Sequence, residues 1–323
     1  MTISLNKINI TIPINQLTLY GYDNYFKSFI NLYKKNKLPQ VILLSGQKGL
    51  GKSTFVFHLV NYLLSQNEIY KYEINNFHIN EENSTFKLIN SQTCPNFFLI
   101  QKNKLDSVIK VEKIRDLLKF LKKSSFSNNI KFILIDDAEA LNQSSSNALL
   151  KEIEEPSENT FFFIIHNSSL KLIDTIRSRC NEFKINFSKL EKIDVLNKIS
   201  SQYNIPLDAQ KLVDNYYFES PGNLFRFFHE LNNNNINIFS ETLKCIYYFI
   251  DKFSTDKDPD TLFFIILFIE KFYNELCLIN KNNQLIYFNN LSKILNLLND
   301  LKKFNLDKKN VLVWVKNILQ NEK

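Results

Sequence analysis

The chain has 323 residues and a formal net charge of +7, with 44% hydrophobic and 23% charged side chains. That composition is ordinary for a soluble globular protein, the length exceeds what one compact core serves and predicts two or three domains, and no apolar run approaches the roughly 18 residues that a bilayer-spanning helix needs. The positive charge suits a partner with a phosphate backbone, but Lys, Asn, Ile, Phe and Tyr are the residues of A/T-rich codons, and codon bias gives the same balance with no such partner.

Residues 1–19 alternate Ile, Asn and Thr with no signal-peptide core, so a cytoplasmic protein is expected. Residues 17–38 predict a helix entered through Tyr20-Gly21-Tyr22-Asp23, with Phe26, Phe29, Ile30 and Tyr33 on one face. Lys34, Lys35 and Lys37 lie at the end where cations suit the helix dipole, and Pro39 stops it. The apolar run 41–44 predicts a buried strand and residues 52–64 a helix. Between them stands Gly46-Gln47-Lys48-Gly49-Leu50-Gly51-Lys52-Ser53-Thr54, with the G-x-x-x-x-G-K-[ST] spacing of a phosphate-binding loop. The chain has five glycines, and Gly46, Gly49 and Gly51 are three of them. Glycine lets the backbone turn tightly enough for its N–H groups to surround a phosphate. The helix start adds free donors and the positive end of its dipole. Lys52 is then placed to reach the β and γ phosphates, and the Ser53 hydroxyl to hold Mg²⁺. An ordinary glycine-rich turn is the plainer alternative; the Lys-Ser pair and the strand–helix context argue against it.

Residues 68–93 are polar and weakly patterned, a loop or an irregular hairpin. Cys94-Pro95-Asn96 forms a turn into a strand at 97–100. Residues 111–121 predict an amphipathic helix with Val111, Ile114, Leu117, Leu118 and Leu121 on one face. A third strand spans 132–135, a helix 144–154 ends before Pro156, a fourth strand spans 161–165, a short helix 170–177, and a candidate fifth strand 183–187. Continuous apolar strands alternating with helices indicate a parallel sheet covered on both faces. Ligands of such sheets bind at the carboxyl ends of the strands, where the phosphate loop and Asp136-Asp137 both stand.

Beyond residue 188 the pattern is helical. Residues 190–200, 208–216 and 221–231 read as a small helical domain, and 232–235 as a linker. Long apolar-rich helices follow at 239–253, 260–279, 286–301 and 309–319, with Trp314 assigned to their core. No repeat is found. Cys94, Cys180, Cys245 and Cys277 are far apart with no C-x-x-C, so neither a disulfide framework nor a zinc site is expected. His58, His78, His166 and His229 lack metal spacing. Lys302-Lys303 and Lys308-Lys309 read as a solvated face, with DNA or a neighbouring chain as the alternative.

Ile133-Leu134-Ile135-Asp136-Asp137-Ala138-Glu139 has the form of a Walker B strand. Its terminal carboxylate can hold Mg²⁺, and Asp136 is assigned that role. Many such ATPases carry Glu at the next position, where it orients the attacking water. Asp137 is one methylene shorter, and water placement is demanding, so capping of the following segment competes with a catalytic role.

Several stretches together resemble the clamp-loader subunits of bacterial DNA polymerase III within the AAA+ ATPases. They are Leu38-Pro39, Val111-Glu112-Lys113-Ile114-Arg115, Asp136-Asp137-Ala138-Glu139-Ala140-Leu141-Asn142, residues 147–156 (Asn-Ala-Leu-Leu-Lys-Glu-Ile-Glu-Glu-Pro), and Thr175-Ile176-Arg177-Ser178-Arg179-Cys180. They cover residues 17–187 in the family's order, and Ser-Arg-Cys after the sheet is the most specific. Within the family the chain is most similar to the delta-prime branch, since the Tyr-Arg-Pro opening of the motor subunit is missing. The four-cysteine zinc module common in the family has only Cys94 in its interval, and Cys94-Pro95-Asn96 stands where a His-Pro-Asp turn is usual.

The resemblance implies an α/β fold: an AAA+ P-loop parallel-sheet domain (1–187), a small helical lid (188–232) and an all-α collar (236–323). It implies ATP and Mg²⁺ as cofactors, with Gly46, Gly49, Gly51, Lys52, Ser53 and Thr54 at the nucleotide and Ser53 and Asp136 at the metal. Asn167 falls at the sensor 1 position. Arg226 is the sensor 2 candidate; residues 220–226 align ambiguously, and a solvated helix arginine is the alternative. Arg179 would act as a finger on ATP held by a neighbouring subunit. The implied partners are other clamp-loader subunits in a hetero-pentameric ring, the sliding clamp and primer-template DNA, with no membrane. The implied function is ATP-dependent opening of the clamp and its loading onto DNA, with weak hydrolysis by the chain alone. Two other readings stay open. One is an autonomous AAA+ ATPase such as a helicase loader, against which residues 147–156 and Ser178-Arg179-Cys180 argue. The other is a nucleotide-binding scaffold without turnover.

Overall fold

Five parallel strands carry the first part of the chain. They are β1 (Val41–Gly46), β2 (Phe97–Ile100), β3 (Lys131–Ile135), β4 (Thr160–Asn167) and β5 (Asn181–Lys184), in the order β2-β3-β4-β1-β5. This computed structural model describes residues 10–103, 106, 108–122, 130–255, 258–304, 306–320 and 322. The chain divides into two units, one ending at Arg226 and one beginning at Phe227. β1 and β3 are buried at every position, as strands covered on both faces must be, and for that reason residues 41–44 and 132–135 read as unbroken apolar runs. The register sets Gly46 of β1 beside Asn167 of β4, so the start of the phosphate loop and the sensor candidate share one sheet end.

The helices of this unit are α1 (Asp23–Lys34), α2 (Lys52–Leu64), α3 (Ser84–Asn90), α4 (Val111–Lys122), α5 (Gln143–Glu154), α6 (Asp174–Arg177), α7 (Lys189–Gln202), α8 (Ala209–Asn215) and α9 (Pro221–Asn232), the last running across the boundary between units. One core joins Phe26, Phe29, Phe55 and Leu59 from α1 and α2 to Ile42, Leu44, Leu134 and Phe163 of the sheet. The other joins Ile114, Leu117, Leu149 and Ile153 from α4 and α5 to Leu43, Ile133, Ile135, Phe162 and Ile164. The alternation of strand residues between the two lists is the period of two expected of a pleated sheet. The fold is an α/β arrangement, a five-stranded parallel sheet packed between helices, with a helical region after it.

Some elements differ from the sequence expectation. α1 begins at Asp23 rather than at 17, because Gly21 adopts φ +77° and breaks the run, and it ends before Asn36 at φ +54°. Residues 68–93 hold an antiparallel pairing of Glu73 with His78 and also the unforeseen α3, capped by the Asn83 side chain accepting from the Phe86 N–H. α6 covers only the last four residues of the expected 170–177 helix. β5 lies two residues before the place expected for its start.

The second unit contains α10 (Thr242–Thr255), α11 (Pro259–Ile279), α12 (Gln284–Phe304) and α13 (Lys308–Gln320). α11 starts on Asp258, whose side chain accepts from the Asp260 N–H, with Pro259 at the first helical position. Its core includes Phe227, Phe249, Phe264 and Phe268, with ring centroids 5.3–5.7 Å apart. Trp314 is not part of that core: α13 buries Val311, Leu312, Val315 and Leu319, and Trp314, about 100° around the helix from Val315, is 42% exposed. Lys308 sits with its ammonium 4.6 Å from the centroid of the Phe253 ring, while Lys309 is exposed. The Lys302-Lys303 side chains lie outside those described. Among the described residues no helix is long and apolar enough to cross a membrane.

Candidate functional site

The loop between β1 and α2 opens one side of a cleft of about 630 Å³. Gly49 and Gly51 hold φ of +86° and +81°, the left-handed region that glycine enters without a Cβ penalty. Tyr22, fully buried just ahead of α1, donates its hydroxyl to Leu50 O at 3.0 Å and stacks on Phe55, which ties the loop to the start of α1.

Lys52 opens α2 and is 5% exposed. Its ammonium donates to Gly46 O and Gln47 O, each at 2.7 Å. Burial pushes its pKa down to about 8, against the upward pull of Asp136, Glu139 and Asp137. Ser53 Oγ donates to Asp136 Oδ2 at 2.7 Å. Asp136 follows β3 directly. Burial raises its pKa, Asp137 adds to the rise, and the hydrogen bond from Ser53 opposes it.

Asp137 has φ +54°, and its carboxylate lies 3.5 Å from Lys102 Nζ, just beyond β2. Its own N–H donates to Asp136 Oδ1 at 2.9 Å. The residue therefore stands in the cleft wall with its carboxylate beside a lysine.

Asn167 ends β4 in the same cleft. Its N–H donates to Glu139 Oε2 at 3.1 Å, and its side-chain oxygen accepts from the Ser169 N–H at 3.2 Å. Gly49, Gly51, Thr54 and Arg226 also line the cleft. Gly46 lies behind it: a Cβ there would stand 2.5 Å from Ile185 O, so the close approach of the segment after β5 requires glycine. Arg179 does not line the cleft. It is about one-third exposed, donates from Nε to Glu154 Oε2 at 3.3 Å and from Nη1 to Thr175 O at 3.1 Å. The nearby Arg177 pairs with both carboxylate oxygens of Glu182 at 3.0 Å.

The structure thus gathers Lys52, Ser53, Thr54, Asp136, Asp137, Asn167 and Arg226 around one cleft and leaves Arg179 elsewhere on the same unit. Sequence reasoning missed Glu139, Tyr22 and Lys102 as parts of the site. Glu139 carried a usable signal, since it lies three residues after the strand-end carboxylate; the Tyr22 and Lys102 contacts are tertiary and had none. A buried cation, a hydroxyl–carboxylate pair and a left-handed glycine loop have the chemistry to receive a polyphosphate with a hard cation.

A family model described as DNA polymerase III, delta subunit, matches residues 21–190. A DNA polymerase III subunit delta' of Buchnera aphidicola subsp. Schizaphis graminum is 28% identical over 225 residues, 65% of this chain and 66% of that protein. The DNA polymerase III subunit delta' of Pseudomonas aeruginosa is 32% identical over 138 residues, 43% of this chain and 40% of its own length. A DNA polymerase III subunit gamma from the same Buchnera is 29% identical over 232 residues, 69% of this chain and 61% of that protein. The matched stretches span less than two thirds of the length of each of these relatives. The phosphate loop, the Ser53–Asp136 pair, Asn167 and Arg179 all fall inside residues 21–190, and the chain belongs to the DNA polymerase III delta subunit family.

Proposed function

We propose that this chain is a clamp-loader subunit that binds Mg-ATP and helps to open the sliding clamp and load it onto primer-template DNA. The observation that carries the nucleotide reading is the Ser53–Asp136 hydrogen bond at 2.7 Å. It brings together the two oxygen donors that Mg²⁺ of a bound nucleotide requires, next to the Lys52 ammonium. Bound Mg²⁺ neutralises and orients the phosphates. The chain's own part is to supply loop N–H donors, the Lys52 charge, and Asn167 and Arg226 in the same cleft.

The partners in this reading are the other clamp-loader subunits in a hetero-pentameric ring, with residues 236–323 as the collar, 188–232 as the lid and 1–187 as the nucleotide domain. Arg179 acts in trans on ATP held by a neighbour. Hydrolysis at the chain's own site is weak. The position of Asp137 favours a second reading, a nucleotide-holding scaffold without turnover, since its carboxylate lies beside Lys102 rather than free in the cleft.

Affinity capture of the tagged chain from cells that make it, followed by identification of the co-purifying proteins, tests the assembly. Calorimetric titration of the purified chain with Mg-ATP tests the site. Recovery of DNA polymerase III subunits with measurable ATP binding supports the proposal. Capture of a helicase in their place, or no ATP binding at millimolar nucleotide, removes it.

A further inference from the structure

The first turn of α9 presses on the phosphate loop, and Pro221, Gly222 and Asn223 line the same cleft as Lys52 and Ser53. The Gly222 N–H donates to Gly49 O at 3.0 Å, and Asn223 Nδ2 donates to Lys48 O at 3.4 Å. Neither surface has space to spare. A Cβ at Gly222 would stand 2.5 Å from Gly49 O, and one at Gly49 would run into Ser220 Oγ and stand 2.9 Å from Asn223 Oδ1. The local sequence builds this contact. Ser220 accepts from the Asn223 N–H at 3.3 Å and Pro221 takes the first helical position, an N-cap pattern that fixes where the helix starts. Asn223 Nδ2 also donates to Glu219 Oε2 at 3.2 Å, which sets the amide's orientation. Glu219, Ser220 and Asn223 are all buried.

The peptide plane gives this contact a consequence. In a trans peptide the C=O of one residue and the N–H of the next are coplanar and point in opposite directions. The Lys48 carbonyl shares its plane with the Gly49 N–H, and the Gly49 carbonyl with the Leu50 N–H. A helix that holds both carbonyls therefore aims both N–H groups the other way. Those N–H groups belong to the part of the loop that cradles a phosphate.

We infer that Gly222 and Asn223 are positioning residues for the phosphate loop: the lid helix holds the Lys48 and Gly49 carbonyls and so sets the loop's affinity for the polyphosphate of a nucleotide. This rests on the nucleotide reading above. In this inference the lid helix contributes to the site through the backbone of the loop.

Calorimetry on the full chain with ADP, AMP and inorganic tripolyphosphate tests this. Gly222→Ala forces α9 away from Gly49. ADP and tripolyphosphate should bind about tenfold more weakly or worse, with AMP changed by less than about threefold, so the preference for ADP over AMP narrows. Asn223→Ala adds no bulk and should shift the same ratio by about threefold, and Asn223→Leu, which keeps the branched shape without the donor and adds no charge, should match it. If Gly222→Ala does not fold, the two Asn223 variants decide. Unchanged ratios in the variants overturn the inference, as does an equal loss for all three ligands, which is what simple destabilisation of the lid gives. Wild-type protein that binds none of the three removes the nucleotide reading itself, a result visible before any variant is made.

Discussion

Ser53 and Asp136 are 83 positions apart and share a hydrogen bond of 2.7 Å. Parallel strands make this routine: every strand delivers its carboxyl end to the same edge, so a residue after β1 and one after β3 meet without a dedicated loop. Asp136 is half-buried and Ser53 Oγ is its side-chain donor. The pair predicts a metal-specific defect. Ser53→Ala and Asp136→Asn should each weaken ATP binding in Mg²⁺ by about tenfold, while binding in EDTA changes little, because a charge-assisted contact of this kind is worth roughly 1.5–3 kcal/mol. Titrations with and without the metal decide it. Equal losses in both buffers would show that the pair serves the loop's structure rather than the cation.

Lys52 predicts a proton linkage. In the ligand-free protein burial lowers its pKa from 10.5 to about 8. A polyphosphate beside Nζ favours the charged form and raises the value again. Between the two values the complex holds a proton that the free protein has lost. Binding therefore takes up a proton there, and affinity falls as pH rises above about 8. Near pH 7 Lys52 is charged in both states, so uptake should be small; near pH 9 it should approach one proton. Calorimetry in two buffers of different ionisation enthalpy reads the number directly. Lys52→Ala should abolish the uptake and weaken binding about tenfold or more. Uptake that persists in the variant assigns the proton to another group.

Much of this site was legible before the structure. The three loop glycines stand out in a chain with five, and strands buried on both faces leave unbroken apolar runs such as Phe132 to Ile135. What was not legible depends on contacts between distant segments. α3 hides in a polar stretch because its seven residues bury only Thr85 and Ile89, too few for a visible period. Residue type alone puts Trp314 in the core, and the helical phase of Val311, Val315 and Leu319 turns it outward. Arg226 shows the reverse case: its alignment is ambiguous in sequence, and the fold places it on the cleft.

Asp137 predicts slow turnover by the purified chain. Its backbone is in the left-handed region, and its carboxylate lies 3.5 Å from Lys102. A residue one methylene shorter than glutamate, beside a lysine, is poorly placed to orient an attacking water. The isolated protein should hydrolyse ATP at below about 1 s⁻¹, against the roughly 10 s⁻¹ typical of enzymes. A faster steady-state rate, abolished by Lys52→Ala so that contamination is excluded, would remove the prediction.

In the proposed trans role, Arg179 predicts an effect that the isolated chain cannot show. A guanidinium is planar and permanently charged, so it can hold phosphate oxygens with two donors at once. Here it is about one-third exposed and pairs with Glu154, itself 58% exposed. An exposed pair of this kind contributes about 0–1 kcal/mol, so exchanging it for a phosphate costs little. Fingers of this type are worth about 10³–10⁵ in rate at the site they serve. Arg179→Ala should leave folding and ATP binding of the isolated chain unchanged. The reassembled clamp loader should lose part of its DNA- and clamp-stimulated ATPase, in part only because the other subunit interfaces remain intact. Glu154→Gln separates the two roles. It removes the charge pair and leaves the guanidinium held by the Thr175 carbonyl, so stimulated ATPase should be kept or slightly raised. A melting temperature lowered alike in Arg179→Ala and Glu154→Gln, with full stimulated ATPase in both reassembled complexes, would mean that the pair is structural and that the finger lies elsewhere.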